Sequence, residues 1–231
     1  MTASSAAADT VLVLDHGFVR LVDSMGDDLS IVRAARVSYD AAWRTGEDEK
    51  SDRRLLRYLY NNRHSTPFEA VTMTFEVMAP IFVLRQWHRH RTQSYNELSA
   101  RYRELPSTFY VPDESIVGEQ SDSNRQGRQA TVRDRGSEIE AVRSHCAQAF
   151  TLYWHLLNRG WPRELARIVL PLNTYSHMFT TMNLWNFMHF LDLRTHPHAQ
   201  LEIQRYALAM MSLACSVVPE TMTLWAESGK Q

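Results

Sequence analysis

The sequence predicts an α+β fold, a single mixed domain that is mostly helical with a small sheet. Three observations carry that prediction. The run Val71-Thr72-Met73-Thr74-Phe75-Glu76-Val77 alternates apolar and polar residues and reads as a strand. Several longer stretches repeat apolar residues at three- and four-residue spacing, the mark of amphipathic helices. Apolar residues make up 44% and charged residues 22%, enough for a full core, which excludes collagen-like, mucin-like and wholly disordered chains. The 231 residues are about one and a half typical domain lengths. With no repeat and no interdomain linker, one domain over residues 11–231 is expected after a flexible, Ser/Ala-rich tail at 1–10.

In chain order, Val11–Leu14 and Phe18–Leu21 flank His16-Gly17 and suit a small hairpin. Ile31, Val32, Ala35 and Tyr39 place a helix over Ser30–Trp43, and Ser51 starts a second carrying Leu55, Leu56, Leu59 and Tyr60. After the strand, Pro80 suits the first turn of a helix running to about Arg91. Asp113–Arg135 is polar and glycine-bearing and reads as a surface loop or a flexible insertion. Ser137-Glu138-Ile139-Glu140 resembles a capping box opening a long helix that Gly160 ends. Pro162 begins another helix, interrupted by Pro171. Asn183 caps Leu184–Leu193, and Pro197 starts a last helix reaching Val218.

Charge and composition narrow the function. There are 25 Lys and Arg against 26 Asp and Glu, a net charge of −1, which opposes general nucleic-acid binding. No apolar run approaches the roughly 18 residues of a membrane span, and the N-terminus lacks the features of a signal peptide. Cys146 and Cys215 form no Cys-x-x-Cys pair and each reads as a small buried hydrophobe, so the cytoplasm is the expected compartment. The histidine pairs His88/His90 and His196/His198 lack the companion ligands of a zinc site, and no metal is expected. No glycine-rich phosphate loop can be drawn. A bound dinucleotide must be held by side chains and helix ends.

The chemistry is concentrated in two places. Arg85, His88, Arg89, His90, Arg91, Arg101 and Arg103 crowd 19 residues, opposed only by Glu97. Arginine offers a fixed fork of donors that matches phosphate or carboxylate, and Gln86, Ser94, Tyr95, Asn96 and Ser99 add neutral partners. A solvated basic face of surface salt bridges is the competing reading. The second concentration is Arg163-Glu164-Leu165-Ala166-Arg167 and Asn183 to Arg194. Arg163 and Arg167, four apart, share a helix face, with Glu164 expected to pair with one of them. Arg194 ends an apolar stretch where a helix C-terminus favours a cation.

Arg89-His90-Arg91 followed after seven residues by Ser99, within Arg85–Arg91 and Ser94–Tyr102, resembles the signature of the flavin-dependent thymidylate synthases. Asp28-Leu29-Ser30, Ala34–Ser38, His64–Glu69, Pro162–Asn173 and Ala199-Gln200 with Glu202 resemble the same family in the same order, from about Leu14 to Tyr206. The resemblance implies a homotetramer with active sites shared between subunits. It further implies methylation of C5 of dUMP to dTMP with FAD, NADPH and methylenetetrahydrofolate. By the same resemblance, Gln86, Arg89, Glu97, Leu98, Ser99, Ala100, Arg101, Arg167 and Arg194 bind the pyrimidine nucleotide, and Arg194 is catalytic, promoting ionisation at N3. FAD falls to Thr66, Arg89, His90, Arg91, Glu97, Asn183, Trp185 and His189. Trp185 departs from the arginine the family often carries near the flavin; it can stack on a ring but makes no charged contact. The same motifs serve a family member turned to UMP. A non-catalytic RNA-binding protein is the rival of another class, opposed by the net charge and the missing aromatic platform.

Overall fold

The computed structural model describes residues 10–123, 126–129 and 134–228. The expected tail at 1–9 lies outside the described residues, and Thr10 opens the first strand. Strands β1 (Thr10–Val13) and β2 (Gly17–Met25) form the expected hairpin, with Val13 opposite Gly17. A Cβ on Gly17 would sit 2.0 Å from the Tyr206 hydroxyl oxygen and 2.6 Å from the Val13 carbonyl oxygen, so the turn has room only for hydrogen.

Helix α1 (Asp28–Arg36) is shorter than the predicted Ser30–Trp43, and two single 3-10 turns follow it. Its start is fixed two residues earlier by a capping box in which Asp27 accepts from the Ser30 backbone and Ser30 returns the bond. Helix α2 (Glu49–Asn61) is capped by Asp48, ahead of the predicted Ser51. One-turn helix α3 (Ser65–Phe68) leads to strand β3 (Thr72–Pro80), the predicted strand extended to the proline. Helix α4 (Ile81–Trp87) stops four residues before the predicted Arg91, and the Tyr95 hydroxyl donates to the carbonyls of Trp87, its last residue, and of His90 beyond it.

Strand β4 (Ser94–Glu97) was not predicted. In the described part of 113–135 lie a one-turn helix α5 (Glu114–Val117) and the two-residue strands β5 (Glu119–Gln120) and β6 (Arg128–Gln129). Helix α6 (Gly136–Asn158) forms, but the proposed capping box does not: its N-cap is Arg135, and the Ser137 hydroxyl bonds to Glu138 instead. Gly160, at φ +84°, closes the helix as expected.

Helix α7 (Arg163–Ala166) is a single turn and passes into a 3-10 turn at Arg167–Val169. Strand β7 (Tyr175–Asn183), unpredicted, takes over after Pro171. Helix α8 (Leu184–Arg194) starts at the Asn183 cap as expected. The helix predicted from Pro197 to Val218 is shorter, α9 (Leu201–Ala214) with Gln200 as its N-cap, and an unpredicted helix α10 (Pro219–Ser228) follows it. Asp28 of α1 caps α10 by accepting from the amides of Glu220 and Thr221 at 2.9 and 3.1 Å.

Five of the described strands make one antiparallel sheet in the order β1-β2-β3-β7-β4. The core face of β3 carries Met73, Phe75, Val77 and Ala79, all fully buried. Helices α8 and α9 bring Phe187, Phe190, Ile203, Tyr206 and Met210 into the same core. Phe75 stacks on Phe187 at 5.7 Å and Trp87 on Phe190 at 5.0 Å, each burial stabilising the fold by about 1.5–3 kcal/mol. No described helix is long and apolar enough to cross a membrane.

Candidate active site

The signature residues hang from the sheet by a junction without slack. Pro80 is both the last residue of β3, opposite Tyr175, and the N-cap of α4. The first two amides of α4 are taken by β7's approach segment: Ile81 N–H donates to the Thr174 carbonyl at 2.9 Å and Phe82 N–H to the Leu172 carbonyl at 3.0 Å. Trp87 is fully buried on the inward side of α4. The turn after the helix therefore points alternate side chains in opposite senses. His90 faces inward at 7% exposure, while Arg89 and Arg91 are exposed.

Helix α8 delivers Arg194 to the same place. It sits in the last turn, where the helix dipole favours a cation. Its Nε–H donates to His90 Nε2 at 2.9 Å, and Nη2 lies 3.5 Å from the Gln86 carbonyl. Nη1 has no protein partner among the described residues. The Gln86 side-chain amide donates to Gln200 Oε1, at the N-cap of α9. Burial, the Arg194 cation and neighbouring His189 hold the His90 imidazole down at about 4. At neutral pH it is an uncharged acceptor, and the bond to Arg194 assigns its proton to Nδ1. Burial also lowers the Arg194 guanidinium from its ordinary value.

The 97–101 segment forms the outer wall. Strand β4 pairs with β7, Ser176 Oγ donates to Glu97 Oε1 at 2.6 Å, and the Leu98 amide donates to the His177 carbonyl at 2.7 Å. The Ser99 carbonyl accepts from the amides of Tyr102 and Arg103, and its hydroxyl accepts from the Arg101 amide at 3.3 Å, a turn over the buried Ala100. Arg101 meets Glu164 at 3.2 Å, and Arg163 meets Glu104 at 3.5 Å. Glu164 thus pairs with neither Arg163 nor Arg167 through its carboxylate; only its carbonyl accepts from Arg167 Nε, at 3.4 Å. Exposed pairs of this kind contribute at most about 1 kcal/mol and yield readily to a ligand.

The remaining residues surround the start of α8. Asn183 spends its side-chain oxygen on the Asn186 amide at 2.9 Å and keeps its amide group. Thr66 is exposed on α3, and Phe68 of the same turn packs on Trp185 at 6.1 Å. Trp185 and His189 line a cavity of about 1290 Å³ with Tyr60, Arg63, His196 and Trp225. The His189 ring stands 6.3 Å from that of His90, tying this cavity to the Arg194 cluster. The side chains of Arg89 and Arg91 make no hydrogen bond or ion pair among the described residues. A cavity walled by Tyr60, Trp185 and Trp225 with Arg63 at its edge fits a phosphate-bearing ligand with a flat ring.

The structure thus gathers Gln86, His90 and Arg194 in direct contact, and Glu97 to Arg101 with Glu164 and Arg167 in a second group. Ser176, Gln93, Tyr95 and Gln200 support them. Ser176 lies in a strand the sequence does not announce, whereas Gln200 belongs to the family-like stretch Ala199-Gln200 with Glu202, which carries no assigned role. Cys146 is buried with its sulfur against Asn173, but Cys215, expected to be buried, is exposed at the C-terminal end of α9. Among the described residues no group of three or more His, Cys, Asp or Glu is placed to hold a metal.

Residues 20–220 match the family model described as thymidylate synthase complementing protein. A flavin-dependent thymidylate synthase of Gluconobacter oxydans is 49% identical over 220 residues, 93% of this chain and 72% of that one. One from Thermotoga neapolitana is 47% identical over 90% of both chains. The crystal structure of a UMP/dUMP methylase, PolB from Streptomyces cacaoi, bound with 5-Br dUMP, superposes with a TM-score of 0.86 at 39% identity, covering 96% of this chain and 99% of that one. The same methylase bound with 5-Br UMP gives a TM-score of 0.84. The chain belongs to the flavin-dependent thymidylate synthase family.

Proposed function

We propose that this family member methylates C5 of dUMP to give dTMP, with methylenetetrahydrofolate as the one-carbon donor and NADPH reducing bound FAD. It works as a homotetramer in the cytoplasm. The observation that carries the reading is Arg194, gripped at Nε and Nη2 with Nη1 left for a ligand. A fixed guanidinium at the uracil edge stabilises negative charge developing on the ring, which makes C5 more nucleophilic. Arg194 keeps its own proton throughout. Arg89, Arg101, Arg167 and Ser99 bind phosphate and sugar, Gln86 and the 97–101 wall bind around the nucleotide, and together they fix the ring's orientation.

FAD would be held by Thr66, Arg89, Arg91, Asn183, Trp185 and His189, with Glu97 and His90 alongside; when bound it supplies the hydride chemistry that no side chain performs. Trp185 offers a stacking face in place of a charge. Apolar Ile168 and Leu172, 69% and 65% exposed beside Arg167, suit burial against another subunit. Two sulfurs without a disulfide partner agree with a reducing compartment.

The same chemistry on UMP is the second reading, favoured by the resemblance to a UMP/dUMP methylase whose structures hold both 5-Br dUMP and 5-Br UMP. The test is to incubate the purified flavoprotein with NADPH, methylenetetrahydrofolate and either nucleotide and compare kcat/KM for the methylated products. Turnover of dUMP is expected. A flavin-loaded protein that methylates neither nucleotide would overturn the reading, and turnover of UMP alone would select the second.

A further inference from the structure

Arg194 owes its placement to a side chain that the family resemblance assigns to the flavin. His90 is 7% exposed, and one of its two ring nitrogens is already spent on Arg194 Nε at 2.9 Å. The ring is clamped edge-on against Phe190 at 4.9 Å, one helical turn before Arg194 on α8. Its backbone is pinned as well, since the Tyr95 hydroxyl donates to the His90 carbonyl at 2.7 Å. The charged and titratable groups that face the ring are Arg194 and His189, both of α8.

We propose that His90 is the positioning residue for Arg194: its neutral Nε2 accepts from Arg194 Nε and sets the plane and height of the guanidinium that faces the uracil edge. The claim rests on the functional reading given above. A guanidinium has freedom about its last bonds, and a single acceptor at Nε removes the rotation that would swing the Nη atoms away from a ligand. Gln86 supplies the second restraint through its carbonyl, and Gln200 fixes Gln86 in turn. The imidazole suits the role because it accepts without adding negative charge. A carboxylate there would neutralise Arg194 and cancel the field it presents to the ring.

The experiment compares His90→Leu, which removes the acceptor, with His90→Gln, whose amide oxygen restores one. His90→Leu should lower kcat about a hundredfold, the cost of a group misplaced by about 1 Å, while dissociation constants for FAD and nucleotide change less than about threefold. His90→Gln should recover kcat to within about tenfold of wild type. A second readout follows ionisation at N3 of bound 5-fluoro-dUMP by ¹⁹F NMR. In the wild-type protein it should occur at lower pH than in free nucleotide, by about one unit, and His90→Leu should lose most of that shift. A third, independent of whether the variants fold, is ¹⁵N-histidine NMR of the wild-type holoenzyme, where His90 should keep a bare Nε2 and a protonated Nδ1 down to about pH 5. Weakened FAD affinity with full kcat at saturating FAD would make His90 a cofactor ligand and overturn the proposal. So would a protonated Nε2 at neutral pH, or a His90→Leu variant with unchanged kcat. An N3 shift that survives Arg194→Ala would instead overturn the functional reading, since the ring would then be polarised by another group.

Discussion

Arg194 and Arg101, both assigned to the nucleotide in the proposed reading, carry the same side chain and meet different surroundings. Arg194 is half-buried and bonded to a neutral imidazole and a backbone carbonyl, and no carboxylate pairs with it among the described residues. Arg101 is exposed on a turn and held by exposed Glu164. The first is oriented before any ligand arrives and keeps its full charge for use. The second is loosely parked, and a phosphate competes with Glu164 for it on favourable terms. Placement that polarises a ring has to be built into the fold; placement that grips a phosphate can be completed by the phosphate.

If that contrast is right, disturbing the buried half should alter rate and disturbing the rim should alter binding. The largest effect is expected from Arg194→Lys, which keeps the charge and loses the planar fork: kcat should fall by about 10²–10³ while nucleotide affinity stays within about threefold. A kcat within twofold of wild type, measured at saturating nucleotide, would erase the distinction. Arg89→Ala should show the converse, raising the nucleotide dissociation constant about 10- to 100-fold, as measured by calorimetry on the FAD-loaded protein.

A smaller effect separates the two halves by pH. The His90 imidazole titrates at about 4 in the folded protein, against 6.5 when unperturbed. Between those values the unfolded chain binds a proton that the folded chain refuses, so this contribution to stability is complete above pH 6.5 and is lost as pH falls towards 4. Urea unfolding at pH 7 and pH 5 should give a lower midpoint at pH 5, and His90→Gln should flatten the difference. The smallest effect is expected at the sulfurs. On the proposed mechanism no cysteine acts as nucleophile, so Cys146→Ala/Cys215→Ala should retain turnover within about twofold, with at most about 1–2 kcal/mol lost where Cys146 packs against Asn173. An inactive but folded double variant would point to a thiolate adduct at C6, and dihydrofolate in place of tetrahydrofolate among the products would say the same.

Much of this was legible in the sequence, and the gaps have causes. Strand β3 announces itself because its inward residues are apolar and its outward ones polar or long. Its neighbour β7 mixes the two kinds, with Met178 and Met182 sharing its buried side with hydroxyl residues. Ser176 and Thr180 lie on its buried side, and their hydroxyls serve Glu97 and Gln93, whereas Phe179 lies on the open side at 39% exposure. The strand is polar where the site needs donors, so alternation hides it. Strand β4 is four residues long and owes its form to pairing with β7, a tertiary cause. The signature located Arg89 to Arg91 without saying which would turn inward. That follows from where α4 stops, and α4 stops where the Tyr95 hydroxyl, eight residues on, takes up the carbonyls of Trp87, the helix's last residue, and of His90 beyond it.

The junction at Pro80 has a consequence for how this chain can change length. Strand register fixes Pro80 opposite Tyr175, the next residue already belongs to α4, and six residues later Gln86 presents its carbonyl to Arg194. One residue added between Val77 and Gln86 would flip the faces of the strand beyond it or turn the helix by about 100°. Either way, His90 and Gln86 leave Arg194. The described strands of 113–135 pair with each other, and Arg128 reaches the buried Glu202 through a long, flexible side chain at 3.0 Å. Insertions there should be absorbed at the surface, so two stretches of one chain, some thirty residues apart, obey opposite rules about being lengthened.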